Sequence, residues 1–165
     1  MKRLVALGCT LFLSVAALGA RPAQAAVDRL APFLGAFQGQ SGQAPGDLFV
    51  PLWSKANPFD VTVTRQDDEL TFSIGANEPV VMRFVPVSDR LYLLRTDRPG
   101  ASGYAWVDAD KLTFQAMLAP AGEPARGMRF IVSFEDDHRR LAAYTLKGSD
   151  APVEVLDTAL KSPED

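Results

Sequence analysis

The side chains best suited to catalysis or metal binding lie in one charged run, Asp136-Asp137-His138-Arg139-Arg140, which contains the only histidine of the sequence. An imidazole titrates near neutral pH and ligates metals, and two adjacent carboxylates could complete a metal site or orient a general base. A solvated turn of mixed charge accounts for the same run, and no Gly-x-Ser-x-Gly elbow supports a Ser-His-Asp nucleophile. We therefore predict a solvated turn here and a protein that is not an enzyme, with no catalytic residue, no bound metal and no cofactor.

Two acidic clusters, Asp67-Asp68-Glu69 and Glu135-Asp136-Asp137, could supply the oxygen ligands that calcium requires. Neither has the alternating Asp-x-Asp-x-Asp-Gly spacing of a calcium loop. Both stand between strand-like segments, where acidic residues keep a bend solvated and discourage aggregation at sheet edges. We interpret both clusters as hairpin turns.

Aromatic residues recur at alternating positions of the strand-like segments, mostly in phase with the apolar residues. Such residues fill an ordinary core, or they line a cavity that holds an apolar ligand. Trp106 is the favoured cavity residue because it has neighbours on both flanking strands and its indole N–H could orient a polar group of the ligand. The full set of predicted ligand contacts is Trp106, Phe72, Phe84, Phe114, Phe130 and Tyr104.

A period of two begins at Phe59, where Phe59, Val61 and Val63 alternate with polar residues, and this period is typical of half-buried strands. Turn-forming clusters separate about nine or ten such segments, and we find no long helix and no fixed repeat, which favours a meandering barrel or sandwich. The stretch 100–103 interrupts the alternation. The last segment, 153–160, fits either a closing strand or a terminal helix.

The predicted fold is all-β: an antiparallel up-and-down β-barrel of about 8–10 strands, in which sequential hairpins close and leave no exposed edge. A short N-terminal helical turn within 27–34 would lead into the first strand, within 33–42. Glycines inside that strand fit a barrel, because its first strand must bend sharply or let another backbone come close.

The first 25 residues have the pattern of a bacterial secretory signal peptide. Lys2 and Arg3 precede an apolar run over 4–20, and Ala23 and Ala25 provide the small side chains that signal peptidase requires. A membrane anchor is the alternative, but the run is shorter than the roughly 20 residues needed to cross a bilayer. We predict a signal peptide over 1–25, export to the periplasm or the exterior, no membrane anchor after cleavage, and a single domain over 26–165.

The predicted mature chain is acidic and lacks cysteine, because the single Cys9 lies in the signal segment. Removing residues 1–25 leaves 14 basic and 20 acidic residues, a net charge of −6. This balance argues against nucleic acid or an anionic membrane surface as a partner, although it does not exclude a local basic patch. Without cysteine the domain has no disulfide and no thiolate chemistry, so burial must stabilise it.

Apolar residues also occur in the proline-bounded stretch 44–58, with Phe49 in one short run and Trp53 in the next. An apolar run within a loop acts either as a lid over one barrel end or as a contact surface for another protein. If the second interpretation holds, Phe49 and Trp53 are the predicted partner contacts.

The opening segment Gly35-Ala36-Phe37-Gln38-Gly39 resembles the calycins, which comprise the lipocalins, the fatty-acid-binding proteins and related bacterial barrels. In that family a short helical turn leads into Gly-x-Trp or Gly-x-aromatic on the first strand, and here Phe37 stands at the aromatic position. The resemblance implies a barrel that binds a small, mainly apolar molecule in its interior.

We therefore predict a secreted or periplasmic binding protein that holds a small apolar ligand inside a lipocalin-like barrel, without catalysis. The alternative is an interaction or accessory protein, such as an inhibitor or assembly partner of another exported protein, with a filled barrel and the 44–58 loop as its contact surface. A sealed apolar cavity would favour the first function, and a core packed without a void would favour the second.

Overall fold

The computed structural model describes residues 29–40, 58–75, 79–135 and 138–163, and within them ten antiparallel strands form one sheet in which each strand pairs with the next along the chain. This confirms the predicted all-β, up-and-down fold. The strands are β1 Gly35–Gly39, β2 Phe59–Gln66, β3 Glu69–Gly75, β4 Val80–Pro86, β5 Leu91–Leu94, β6 Ala101–Val107, β7 Lys111–Leu118, β8 Arg126–Glu135, β9 His138–Lys147 and β10 Val153–Leu160. The predicted N-terminal helical turn is a 3-10 turn over Ala31–Phe33.

The sheet curls into a nearly closed barrel whose first and last strands meet at a single bridge. The Gln38 N–H donates to the Lys161 carbonyl oxygen at 2.8 Å, and the Lys161 N–H donates to the Gln38 carbonyl oxygen at 2.9 Å. The other neighbouring strands are joined by longer ladders, with β8 paired to β9 from Arg126 to Glu135. The seam between β1 and β10 is therefore the weakest part of the barrel wall.

The alternation read from the sequence decides which side chains face the interior. In β2, Phe59, Val61 and Val63 have no exposed surface, whereas Asp60 and Thr64 are exposed. Successive strand residues point to opposite sides, so a period of two places one full set in the core. The same rule puts the apolar set of β3 inside, and the acidic turn at Asp67 joins β2 to β3 as predicted.

The two ends of the barrel differ. The plugged end, which holds the 3-10 turn, is filled by Leu30 and Phe33, neither of which has exposed surface. The Nε and Nη2 atoms of Arg139 donate to the Pro32 carbonyl oxygen at 3.3 and 3.2 Å, which ties the turn to β9. Strands β1, β3, β5, β7 and β9 end at the opposite, distal end, because alternate strands run in opposite directions.

Two parts of the chain differ from simple sequence expectations. β6 begins at Ala101 and runs through Gly103, where the sequence predicts an interruption. A Cβ at Gly103 would lie 2.3 Å from the Gln115 carbonyl oxygen, so this glycine permits a close approach of β7 within a continuous strand. The segment 153–160 is a strand, because its backbone groups pair with β9. A register shift between Glu154 and Leu156 breaks its alternation and accounts for the helix-like spacing.

Several expectations concern residues outside the described ranges. These are the signal peptide over 1–25 with its cleavage after Ala25, nearly all of the 44–58 loop, and the acidic residues Asp136 and Asp137. Within the ranges that the structure describes, no helix is long and apolar enough to cross a membrane.

Candidate functional site

Four of the six predicted ligand contacts meet in the middle of the barrel. Phe72, Phe84, Phe114 and Phe130 all face inward, and none is more than 1% exposed. Their rings pack with tilted geometry, with centroid distances of 4.4 Å for Phe72–Phe114, 5.1 Å for Phe72–Phe130 and 5.5 Å for Phe84–Phe114. Contacts of this kind are favourable beyond the burial itself. The four rings therefore pack against one another in the core. That they contact a ligand stays a prediction.

The expectation that Trp106 and Tyr104 face the interior is wrong. Ala105 and Val107 are the fully buried residues of β6, so the neighbouring Trp106 points outward and is 39% exposed. Because side chains alternate along a strand, a phase error of one residue moves a side chain to the other face. Ala105 stands directly opposite Phe114 across the ladder, and the small alanine leaves room for that ring.

Tyr104 belongs to a polar group on the outer face. Its hydroxyl donates to Gln115 Oε1 at 3.3 Å, and the same oxygen accepts from Arg129 Nε at 2.9 Å. These side chains lie on adjacent positions of β6, β7 and β8. They hold the outer surface of the wall together and contribute nothing to an interior site.

The residues considered for metal binding or partner contact have the following positions. His138 is exposed at the start of β9, while its predicted neighbours Asp136 and Asp137 lie outside the described ranges. Within the described part of the chain, no group of three or more histidine, cysteine or acidic residues is placed to hold a metal ion. Phe49 and Trp53 also lie outside the described residues.

The structure shows a groove between β4 and β5, where the short strand β5 ends. β5 has only four residues, pairs with β4 over 84–86 and pairs with β6 over 104–106. Beyond Leu94, residues 80–82 of β4 and 101–103 of β6 therefore have no ladder partner in β5. The β4–β5 groove is lined by Val81, Met82, Arg83, Leu94, Arg95 and Thr96.

The floor of the groove is continuous with the core. Met82 faces inward, is 8% exposed and stands opposite Phe72 across the ladder. Leu94 is half-buried, packs against the core and stands opposite Phe84. The groove therefore borders the apolar core at two side chains, Met82 and Leu94.

The rim of the groove is cationic. Arg83 and Arg95 are largely exposed and share one carboxylate: Arg95 Nη1 lies 2.7 Å from Glu69 Oε2, and Arg83 Nε lies 4.0 Å from Glu69 Oε1. The backbone N–H of Arg95 also donates to the Arg83 carbonyl oxygen at 2.7 Å, which fixes the end of β5. An apolar floor beside two guanidinium groups suits binding of a small molecule.

Sequence reasoning missed this groove because nothing local marks it. Arg83 lies on the outer face, and 64% of its side chain is exposed. One signal was available: the four-residue run Leu91–Leu94 is followed directly by a polar, proline-containing stretch, so a short strand was readable. Which neighbours that short strand leaves unpaired depends on the register of three strands.

No family model and no curated protein matches this chain. Among solved structures, the chain is similar to the crystal structure of Rv2717c from M. tuberculosis, with a TM-score of 0.48 and 15% sequence identity. The alignment covers 83% of this chain and 96% of that chain. A similarity at this level carries no inference about function.

Proposed function

We propose that this protein is a non-catalytic binding protein for a small, mainly apolar molecule, which it takes up at the β4–β5 groove. The observation that carries the proposal is that the core residue Met82 and the half-buried Leu94, which packs against the core, both line the groove beside the end of β5. Binding sites of this class combine an apolar lining with few polar groups. The resemblance of the first strand to the calycins and the predicted signal peptide support an exported carrier, periplasmic or secreted.

The packed phenylalanine rings bear on where a ligand would bind first. Since Phe84 and Phe114 are fully buried, the middle of the barrel has little space for a ligand as it stands. The groove borders this cluster, and Met82 has an unbranched, adaptable side chain that can move without disturbing the backbone. A ligand would therefore bind first against Met82 and Leu94, with Phe84 beneath Leu94 as the next contact.

The test is titration of the purified protein with diphenylhexatriene, a neutral apolar fluorophore, together with native mass spectrometry of the same sample. Leu94→Gln puts a polar amide on the groove floor, and Thr96→Trp fills the groove from an exposed position. We expect each to raise the Kd by about tenfold or more, as expected when a central apolar contact is lost. Val153→Gln is the matched control, since Val153 is 56% exposed on β10, away from the groove.

The outcomes are distinct. Discrete extra mass that is lost on denaturation, with weakened probe binding in both groove variants and an unchanged Val153 variant, supports the proposal. A bare polypeptide mass together with no uptake of the probe would overturn it. Equal affinity in all variants would also overturn it, because the probe would then bind elsewhere.

The second candidate function is that of an interaction or accessory protein of another exported protein, and the filled phenylalanine cluster favours it. In that case the barrel serves as a rigid scaffold and the 44–58 loop, with Phe49 and Trp53, makes the contact. A pull-down from a periplasmic extract, compared between the natural protein and a Trp53→Ser variant, tests this candidate. Loss of one specific partner with the variant, in a protein that takes up no apolar probe, would favour it.

A further inference from the structure

Exposed apolar side chains are concentrated on one face of the barrel. The large apolar residues that are exposed within the described part of the chain are Val80, Val81, Val85, Val87, Leu93, Trp106 and Val153. All but Val153 belong to β4, β5, β6 or the turn after β4. Scattered exposed apolar residues are common, but a cluster of this kind indicates an interaction surface.

Register shows that the cluster is contiguous. Val85 stands opposite Leu93, and Leu93 stands opposite Tyr104, two positions before Trp106 on the same strand. Neighbouring strands lie about 4.8 Å apart and alternate residues about 7 Å apart, so Val85, Leu93 and Trp106 are neighbours on the outer face. Val81 lies on the same face of β4, four positions before Val85. We call this surface, formed by Val81, Val85, Leu93 and Trp106, the β4–β6 face.

The charge of the β4–β6 face is opposite to that of the whole chain. Residues 80–107 contain four arginines and two aspartates, whereas the full sequence has a net charge of −3. Arg83 lies on the outer face between Val81 and Val85, Arg95 follows β5, and both arginines pair with Glu69. This face therefore carries a local excess of positive charge on an otherwise acidic protein.

We infer that the β4–β6 face binds the surface of an anionic lipid bilayer. Aliphatic side chains enter the boundary between headgroups and acyl chains, a tryptophan is favoured at that depth, and arginines pair with lipid phosphates while their stems cover apolar surface. The outward valines and leucine of the sheet present aliphatic side chains that suit the planar surface of a bilayer. The acidic remainder of the chain is repelled by anionic headgroups and so orients the protein with this face toward the membrane. The inference does not depend on the proposed ligand site.

The experiment is co-sedimentation of the full protein with vesicles of equal parts phosphatidylglycerol and phosphatidylcholine, compared with vesicles of phosphatidylcholine alone. The apolar variant is Leu93→Asn with Trp106→Gln, and the charge variant is Arg83→Gln with Arg95→Gln. Since each arginine near such a surface contributes about 1 kcal/mol, we expect the charge variant to bind about 30-fold more weakly. Val153→Asn and Arg126→Gln are the matched controls, because Val153 is an exposed apolar residue and Arg126 is an exposed, ion-paired arginine, and both lie outside the face.

Tryptophan fluorescence tests whether Trp106 contacts the bilayer. In a Trp53→Phe background Trp106 is the only tryptophan. Its emission should shift to the blue on addition of anionic vesicles and be quenched by brominated phosphatidylglycerol. These results, with loss of binding in both double variants and unchanged controls, support the inference.

Three results would overturn it. The first is equal binding to both kinds of vesicle or to neither. The second is a loss of binding in the control variants that matches the loss in the face variants. The third is concentration-dependent self-association, abolished by the Leu93 and Trp106 substitutions in sedimentation velocity, which would assign the face to a second copy of the chain instead.

Discussion

At the scale of single residues, Tyr92 is a polar group held inside an apolar core. Its side chain faces inward from β5 and is 1% exposed. Burial raises the pKa of the Tyr92 phenol above its ordinary value of 10.0; nearby Arg65 opposes this rise, while Asp68 and Asp89 add to it. Burial disfavours the phenolate because a low-dielectric surrounding cannot solvate the charge.

The raised pKa of Tyr92 predicts a loss of stability in strong base. Because the folded-state pKa lies above the unfolded value of 10.0, the contribution of the neutral phenol is fully present below pH 10 and is lost as the pH rises through the folded-state pKa. Urea unfolding at a series of pH values from neutrality to strong base measures this. Tyr92→Phe should flatten the decline above pH 10, and an unchanged decline in that variant would contradict the assignment.

A control for this prediction is Tyr144, a half-buried tyrosine on the outer face. Burial also raises the pKa of Tyr144, and the nearby Glu154 raises it further. Since Tyr144 keeps some contact with water, we expect Tyr144→Phe to flatten the decline less than Tyr92→Phe does.

At the scale of elements, β6 shows how a glycine permits two strands to pack. The Cα of Gly103 lies so close to β7 that a methyl group would meet the Gln115 carbonyl oxygen at 2.3 Å and the Leu94 side chain at 3.1 Å. A backbone carbonyl cannot move aside as a long side chain can. The position of Leu94 at the groove therefore depends on the absence of a side chain at Gly103.

Gly103→Ala should lower the free energy of unfolding by about 1–3 kcal/mol, the usual cost of overpacking in a closely packed site. Gly122→Ala provides the comparison: its backbone has a φ of +78°, which costs an alanine roughly 1–2 kcal/mol, but no atom lies within 4 Å of the added methyl group. Urea unfolding measures both. Only Gly103→Ala should also alter probe binding at the groove, since it displaces Leu94, and equal effects on binding would contradict this account.

At the scale of the whole molecule, Arg139 joins the barrel's beginning to its end. It lies on β9, donates to the Pro32 carbonyl oxygen, and its guanidinium stands 4.8 Å from the Phe37 ring centroid and 5.0 Å from that of Phe134. It also stands opposite Leu160 in the ladder, next to the bridge that closes the barrel. One side chain thus connects the 3-10 turn, β1, β8 and β9 at the plugged end.

Replacing Arg139 by leucine should loosen the seam and lower the free energy of unfolding by about 1–3 kcal/mol, from the loss of hydrogen bonds made by a charged group and of cation–π contacts. Hydrogen exchange at the amides of Gln38 and Lys161 is the specific measurement, because these two residues form the bridge that joins the two ends of the sheet in the described part of the chain. Their exchange should accelerate relative to amides of the β8–β9 ladder. Arg126→Leu is the control and should leave the seam unchanged, and faster exchange everywhere in the Arg139 variant would argue against a local role.

The alternating pattern of the sequence determined the strands and most of the core, because burial on one side of a strand imposes a period of two on the residues themselves. Phe59, Val61 and Val63 are such a case. The turn at Asp67 was readable for an equally local reason, since aspartate tolerates the left-handed conformation, here a φ of 54°, that the turn requires. The charge and the missing cysteine of the predicted mature domain also follow from composition alone.

Only the tertiary structure decided which face of β6 is inside, whether 153–160 is a strand, and where the barrel wall opens. The prediction that Trp106 faces the interior was wrong because the register places its neighbour Ala105 opposite Phe114 on the inner face. Trp106 therefore points outward. The strand at 153–160 exists because β9 supplies its hydrogen-bond partners. The groove exists because β5 ends at Leu94 and leaves residues 80–82 of β4 and 101–103 of β6 without a partner in β5. Each of these outcomes depends on the register between segments that are distant in sequence. The residues of one segment do not indicate which residues of another strand will lie beside them.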